Sequence, residues 1–499
     1  MSEMGQPVVR LSNGAVRGKA QSGVYAFLGI PYAAPPFGAN RMRPPQPAWP
    51  LEGERDSTAF GPTVPKGDYP PQYAKLFPEV VIPGEDCLNL NVWTPDLGAS
   101  GLPVLVWIHG GSFMNGSSSV GAYDGAAFAR DGVVCVSINY RLAAEGFLFL
   151  DDGTANLGLL DQLAALRWVQ DNIASFGGDP ARVTVAGESA GAMSVTTLLS
   201  MPLAEGLFAQ AIAQSGAGAH TLTSQEGRTV GGYLAEALGV PTDRESIKAV
   251  PLDKLVQAAS DLVVEVQTAA DPAKWGQLAL SLLPFAPAVD GAVLPSAPVP
   301  AIAAGQGAGV PLLIGSNRDE ARLFLVAPGT IDVIDEPTLA AAAGGYGLAG
   351  NGVAVYRANR PGGSAGDILA ALISDWFFRI PAIRVAEARG ASSAARTWMY
   401  RFDQPEPEAN HQLGACHATE IPFVFDTITR AELRPLIGDA PSQAVADRVH
   451  RVWVDFITHG DPGWAAYDTA SRTTGLLTDT IHPVDDPAGA ERELWDGIR

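Results

Sequence analysis

Four short stretches of this chain are apolar at nearly every position: Leu102–Ile108 (LPVLVWI), residues 132–138 (GVVCVSI), 183–186 (VTVA) and 309–315 (GVPLLIG). A strand with one wet face alternates apolar and polar side chains. A strand without that alternation is covered on both faces, which is the condition of a parallel sheet sandwiched between helices. Between the second and third stretches, residues 157–175 (LGLLDQLAALRWVQDNIAS) carry apolar residues at helical spacing and stop at Gly177-Gly178-Asp179-Pro180. Strand, helix and strand in this succession predict an α/β fold with a central, mostly parallel twisted sheet and helices on both faces.

The rest of the chain is arranged around that unit. Residues 8–11 and 15–18 are strand-like and joined through Asn13-Gly14, a dipeptide suited to a type I′ turn, so an edge hairpin is expected. Residues 202–283 read mostly as helix, and 337–386 as helices broken by Gly-rich turns. No fixed-period repeat or long linker is visible. We expect one domain over residues 1–499, with mainly helical insertions around 222–283 and 330–410 that lie over the ligand-binding rim.

Charge and cysteine usage exclude several functions. Lys plus Arg number 33 against 53 Asp plus Glu, a net charge of −20 with no basic block, which argues against nucleic-acid binding. The first ten residues (MSEMGQPVVR) lack a secretory pattern and no apolar run reaches a membrane span, so a cytoplasmic protein without membrane association is expected. Cys87, Cys135 and Cys416 are odd in number and widely spaced, which suggests buried thiols and neither a disulfide framework nor a zinc site. The expected partner is a small molecule, and the expected state a monomer.

Chemistry enters at Gly187-Glu188-Ser189-Ala190-Gly191, a G-x-S-x-G sequence. In a nucleophile elbow, this pattern turns sharply from strand to helix and exposes the serine hydroxyl. The pattern alone is weak, because a chain with 55 Gly should contain it by chance about 0.3 times. A second match, Gly362-Gly363-Ser364-Ala365-Gly366, follows a turn-like Asn359-Arg360-Pro361 and reads as loop. The first follows a buried strand and precedes a helical stretch, so Ser189 is the candidate nucleophile.

Attack by a serine on a carbonyl creates an oxyanion, which needs donors. His109-Gly110-Gly111-Ser112-Phe113 follows the first buried strand and has the form of the glycine-rich loop that supplies backbone N–H groups in esterases. We expect Gly111, Ser112 and Ala190 N–H to serve, with Gly110 beside the substrate. The serine also needs a histidine base oriented by a carboxylate. The order nucleophile, acid, histidine removes His109 and leaves His220, His411, His417, His450, His459 and His482. His417 is favoured because it sits in Gly414-Ala415-Cys416-His417, just before an apolar stretch. The acid should follow the late strand 309–315, where Asp319 and Glu320 are adjacent and pattern alone does not separate them.

At this point the residues resemble the type B carboxylesterase family, which includes bacterial para-nitrobenzyl esterases and the cholinesterases. The resemblance rests on blocks in order: Gly29-Ile30-Pro31-Tyr32-Ala33, Glu85-Asp86-Cys87-Leu88-Asn89-Leu90-Asn91-Val92-Trp93, the His109–Phe113 loop, Asn156-Leu157-Gly158-Leu159, Gly187–Gly191, residues 285–291 (FAPAVDG), Asp319-Glu320, Cys416-His417 and Gly460-Asp461-Pro462. Among its members, the actinobacterial-type esterases look nearest. The resemblance implies an α/β-hydrolase fold, no cofactor or metal, and a triad of Ser189, Glu320 and His417, with Glu rather than Asp as the acid. It also implies a supporting hydroxyl at Ser215. One feature departs from the family: secreted members carry a Cys in the FGP-x-C stretch that bridges to the EDC block, whereas Val64 follows Phe60-Gly61-Pro62-Thr63 here. The rim segment 64–87 is then left without that clamp.

The expected activity is hydrolysis of small to medium apolar or aromatic carboxylic esters, with Phe113, Phe285, Phe324 and Trp376 as candidate pocket linings and activity rising through about pH 6 to 7. An amidase or carbamate hydrolase on the same residues, or a non-catalytic binding member of the family, are the alternatives. Gly345-Tyr346-Gly347-Leu348-Ala349-Gly350 spells a dinucleotide fingerprint but follows an Ala-rich helical run instead of a strand, so no such role is expected.

Overall fold

Both faces of the strand Leu102–Ile108 are covered, as its unbroken apolar run requires: Val104, Val106 and Ile108 enter one core, Leu105 and Trp107 the other. The computed structural model describes residues 6–269, 271–348, 350–390, 394–403 and 412–499. Its strands are β1 (Val8–Leu11), β2 (Gly14–Arg17), β3 (Lys19–Gln21), β4 (Val24–Pro31), β5 (Glu54–Asp56), β6 (Asn89–Thr94), β7 (Leu102–Ile108), β8 (Val134–Ile138), β9 (Gly178–Glu188), β10 (Gln210–Gln214), β11 (Leu312–Asn317), β12 (Thr397–Phe402), β13 (Thr473–Leu477) and β14 (Ile481–Asp485).

Eleven of them form one sheet in the order β14-β13-β12-β11-β10-β9-β7-β8-β6-β4-β3. It is parallel from β8 through β7 and β9 to β13, with antiparallel strands at both ends. Helices Leu157–Asn172, Ala190–Ser200 and Ile380–Gly390 cover one face through residues such as Leu163, Val195 and Val385. Helices Ala126–Arg130 and Gln443–His459 cover the other through Phe128, Val449 and Trp453. The architecture is the α/β-hydrolase fold. From β7 the chain runs to β8 on one side, and from β9 to β10 on the other, so the loops leaving β7 and β9 diverge at the carboxyl ends of the strands, where open α/β sheets bind ligands.

Three expectations change. The stretch 202–283, read as mostly helical, contains β10, a central strand. Its sequence QAIAQ is five residues long and is dominated by alanine and glutamine, which favour helix; only its place between β9 and β11 makes it a strand. The segment 330–410 likewise includes β12, while residues 404–411 lie outside the described residues. The N-terminal hairpin does form, with Ser12 and Asn13 as its loop. It pairs with β5 in a separate three-stranded sheet, however, and does not edge the main one.

A buried ion pair joins the end of β8 to the helix Leu157–Asn172. Arg141 donates to both Asp161 oxygens, at 2.7 and 2.6 Å, with the two side chains 2% and 0% exposed.

Candidate active site

β9 ends at Glu188 and the next helix begins at Ala190, so Ser189 alone turns the chain. It does so at φ 56° and ψ −123°, a conformation that costs a non-glycine residue strain and persists only where neighbours enforce it. The flanking glycines are dictated by close approach: a Cβ on Gly191 would stand 2.0 Å from the Ile108 oxygen, and one on Gly187 2.6 Å from the Gly191 carbonyl carbon. The second G-x-S-x-G serine does something else. Ser364 caps the helix Ala365–Ser374, accepting from Asp367 N–H while the Asp367 carboxylate accepts from Ser364 N–H.

The residues singled out around Ser189 come together from distant parts of the chain. His417 Nε2 lies 2.8 Å from Ser189 Oγ, and His417 Nδ1 lies 2.7 Å from Glu320 Oε2. Glu320 sits in the loop after β11 and is held in place by Asn317 N–H, which donates to its other oxygen at 2.7 Å. An acceptor-only carboxylate at Nδ1 keeps the proton on that nitrogen and leaves Nε2 to accept from the serine. Asp319, the neighbouring alternative, points away: its carboxylate pairs with Arg318 and accepts from Ala415 N–H.

The other histidines have different work. His220 Nε2 meets the Phe377 carbonyl at 2.9 Å and His450 Nδ1 the Val424 carbonyl at 2.7 Å. His459 and His482 are exposed, and His411 lies outside the described residues. His109 is buried behind the glycine-rich loop, stacked on Tyr140, and burial holds its pKa down at about 3, so it stays neutral.

Sequence reasoning passed over two carboxylates. Glu188, the variable position of the elbow motif, places Oε1 3.1 Å from His417 Nε2. Glu420, three residues after His417, accepts from Gln214 at 3.1 Å and Asn317 at 2.6 Å. Both are buried. Burial pushes Glu188 up to about 8, against the pull of His417, and burial with the nearby Glu320 pushes Glu420 up to about 6. For His417, burial alone would lower the pKa, but Glu188, Glu320 and Glu420 together outweigh it and raise it to about 9. The surroundings therefore favour an imidazolium, the species a base becomes when it takes a proton.

The loop after β7 passes directly over the serine. A Cβ on Gly110 would fall 2.7 Å from Glu188 Oε2 and 3.0 Å from Ser189 Cβ. Gly111, Ser112 and Phe113 follow at φ 108°, 55° and 59°. Among the described residues, no acceptor is paired with the N–H of Gly111, Ser112 or Ala190. Ser215, at the end of β10, is buried at φ 53° with its hydroxyl unpartnered, and the next residue packs against the Ser189 carbonyl.

The candidate pocket residues separate into two groups. Phe324 is 36% exposed, with its ring 5.4 Å from the His417 ring. Phe378, which sequence reasoning missed, lies 4.7 Å from His417 and stacks nearly parallel to Phe324. It is carried on Asp375–Arg379, a π-helical turn of the kind that often marks functional sites. Phe113 and Phe285, by contrast, are fully buried and present no face to solvent; Phe113 packs on Phe147 at 4.7 Å. Trp376 turns toward His220, Tyr346 and Arg499. The segment 64–87, expected to be unclamped, is tied down by hydrogen bonds between Thr63 and Ile82 and by the Lys66–Glu79 ion pair at 2.7 Å. In the dinucleotide-like run, Gly345 ends a helix and Ala349 lies outside the described residues.

Comparison with known proteins gives a consistent result. A sequence model described as the carboxylesterase family matches residues 5–337 and 353–478. The para-nitrobenzyl esterase of Bacillus subtilis is 38% identical, with 98% of each chain covered. A phenmedipham hydrolase of Pseudarthrobacter oxydans is 35% identical over 92% of this chain and 91% of its own. Among solved structures, a Geobacillus stearothermophilus carboxylesterase superimposes with a TM-score of 0.85 at 36% identity, covering 98% of this chain and 99% of that one.

Proposed function

The chain belongs to the carboxylesterase family and is a carboxylic ester hydrolase, and on that premise we propose that Ser189, His417 and Glu320 carry the reaction through an acyl-enzyme. The observation that supports this most is the continuous line of hydrogen bonds from Ser189 Oγ to His417 Nε2 at 2.8 Å and from His417 Nδ1 to Glu320 at 2.7 Å.

In this reading His417 Nε2 takes the hydroxyl proton as Ser189 Oγ adds to the ester carbonyl carbon. The carbonyl oxygen becomes an oxyanion facing Gly111, Ser112 and Ala190 N–H, whose freedom from other acceptors supports the assignment. Collapse breaks the bond to the leaving alkoxide, which leaves as alcohol with the proton from His417. A water, deprotonated by the same nitrogen, then adds to the acyl-serine; the carboxylic acid departs and Ser189 regains its proton. Glu320 holds Nδ1–H throughout and stabilises the imidazolium. The chemistry rests on side chains and N–H groups, without a cofactor.

The substrates are small to medium apolar or aromatic esters, a preference supported by Phe324 and Phe378 beside His417. We read the chain as one domain, acting as a monomer in the cytoplasm. Three buried, unpaired cysteines support the compartment, and among the described residues no helix is long and apolar enough to cross a membrane.

The deciding experiment compares p-nitrophenyl acetate, butyrate and octanoate hydrolysis by wild type and Ser189→Ala. The expected loss in kcat is about 10⁴- to 10⁶-fold. Retention of more than about a tenth of the activity would remove Ser189 from the reaction.

A further inference from the structure

The backbone beneath the expected oxyanion site is strained at Ser112 and Phe113, non-glycine residues at φ 55° and 59°, between Gly111 and Gly116, which take φ 108° and 90° without strain. Met114 and Asn115 N–H both turn back to the Gly111 carbonyl at 2.9 Å. Such a loop holds its shape only when something outside it over-determines the shape.

That restraint comes from the rim segment. Lys66 Nζ donates to the Gly116 carbonyl at 2.8 Å and pairs with Glu79 Oε1 at 2.7 Å, while Glu79 Oε2 accepts from Gly116 N–H at 3.3 Å. Both backbone polar groups of one residue are thus gripped by one ion pair. Asn115 Nδ2 adds a bond to the Gly67 carbonyl at 2.7 Å. Gly116 in turn sits tightly against the donor-bearing strand end: a Cβ there would lie 2.6 Å from the Gly110 oxygen and 2.7 Å from His109 Nδ1. Any shift of Gly116 is therefore passed to Gly110 and Gly111.

The Lys66 and Glu79 side chains are 2% and 14% exposed. A buried ion pair is commonly no more stabilising than apolar residues of the same size. What an apolar pair lacks is a donor for the Gly116 carbonyl and an acceptor for its N–H.

We propose that Lys66, paired with Glu79, is a positioning residue that fixes Gly116 and through it the N–H groups of Gly111 and Ser112 that receive the oxyanion. This rests on the reading of Ser189 as nucleophile. It assigns catalytic geometry to a segment that carries no motif and touches no reacting atom.

The test uses Lys66→Met, the double variant Lys66→Met/Glu79→Gln, which strands no lone buried charge, and Lys66→Arg, which keeps the charge and the donors. An alkylphosphonate p-nitrophenyl ester releases one p-nitrophenolate per competent serine, so kcat is expressed per competent site and a misfolded fraction does not enter it. Titration of wild type but not of Ser189→Ala secures the underlying reading separately; its failure would remove both.

Displaced donors lower kcat per site for p-nitrophenyl acetate by about 10- to 100-fold with little change in KM. They also weaken inhibition by phenylboronic acid, whose tetrahedral adduct uses the same donors, by a similar factor. Lys66→Arg retains more of kcat than the double variant. Values of kcat per site and boronate inhibition within about twofold of wild type in the double variant, or equal losses in the double variant and Lys66→Arg, would overturn the proposal.

Discussion

The Glu188 carboxylate stands 3.1 Å from His417 Nε2, on the nitrogen that also meets Ser189 Oγ at 2.8 Å. An ionised carboxylate facing an acceptor nitrogen is unfavourable until a proton lies between them. This is why His417 is drawn up to about 9, while burial pushes Glu188 up to about 8 against the pull of His417. The two are coupled, because a proton on Glu188 withdraws the charge that lifts His417.

The pH profile follows from that pair. In the proposed mechanism His417 must be neutral to act as a base, and raising its pKa moves loss of its proton to higher pH. kcat/KM is therefore expected to rise with pH on a limb centred above the ordinary histidine value near 6.5, and not between pH 6 and 7 as the sequence suggested. Glu188→Gln removes the nearest negative charge and should shift the limb down by about 1 unit or more. An unmoved limb in stopped-flow or steady-state profiles from pH 5 to 10 would refute the coupling.

Glu320→Gln keeps the shape of the acid but can donate to His417 Nδ1, favouring the tautomer with the proton on Nε2, where the serine needs an acceptor. By the same logic as in serine proteases, kcat should fall by about 10⁴-fold. The folded protein should persist, which near-ultraviolet circular dichroism and a thermal melt would check.

The Phe324 ring lies 5.4 Å from the His417 ring and is 36% exposed, so under the proposed function its truncation should separate binding from stability. For Phe324→Ala, KM for p-nitrophenyl benzoate is expected to rise about 3- to 10-fold relative to p-nitrophenyl acetate. The melting temperature should stay within a few degrees of wild type. An equal change for both esters would place the aromatic subsite elsewhere.

Asp161→Ala strands the Arg141 guanidinium in an environment where its side chain is 2% exposed. The expected loss is about 3 to 5 kcal/mol of unfolding free energy, read from urea denaturation of the variant against wild type. A change below about 1 kcal/mol would mean that water reaches the cation.

Much of this protein is written locally. The runs that became β7, β8, β9 and β11 are legible because a strand buried on both faces has to be apolar throughout, whatever its neighbours are. Ser189 is legible because its glycine-flanked turn, too tight for any other residue at positions 187 and 191, lies between a buried strand and a helix, which the same pattern around Ser364 does not. The short strand β10 is not, because alanine and glutamine have no strand signature and only the β9 and β11 edges on either side make it one.

The electrostatics are less legible still. Glu188 meets His417 and Glu420 acts on it through the buried surroundings, neither from a position that a spacing rule would single out, and Lys66 reaches Gly116 across fifty residues of sequence. A charged residue in a sequence reads as solvated surface. Only the fold decides which of them lose their water, and it is that loss of water that makes a carboxylate shift a histidine or a lysine hold a loop. The sequence by itself determined the doubly covered strands β7, β8, β9 and β11 and the glycine-flanked turn at Ser189. The tertiary structure decided the strength of the base and which charges hold the site in place, because both depend on dielectric and distance rather than on residue type.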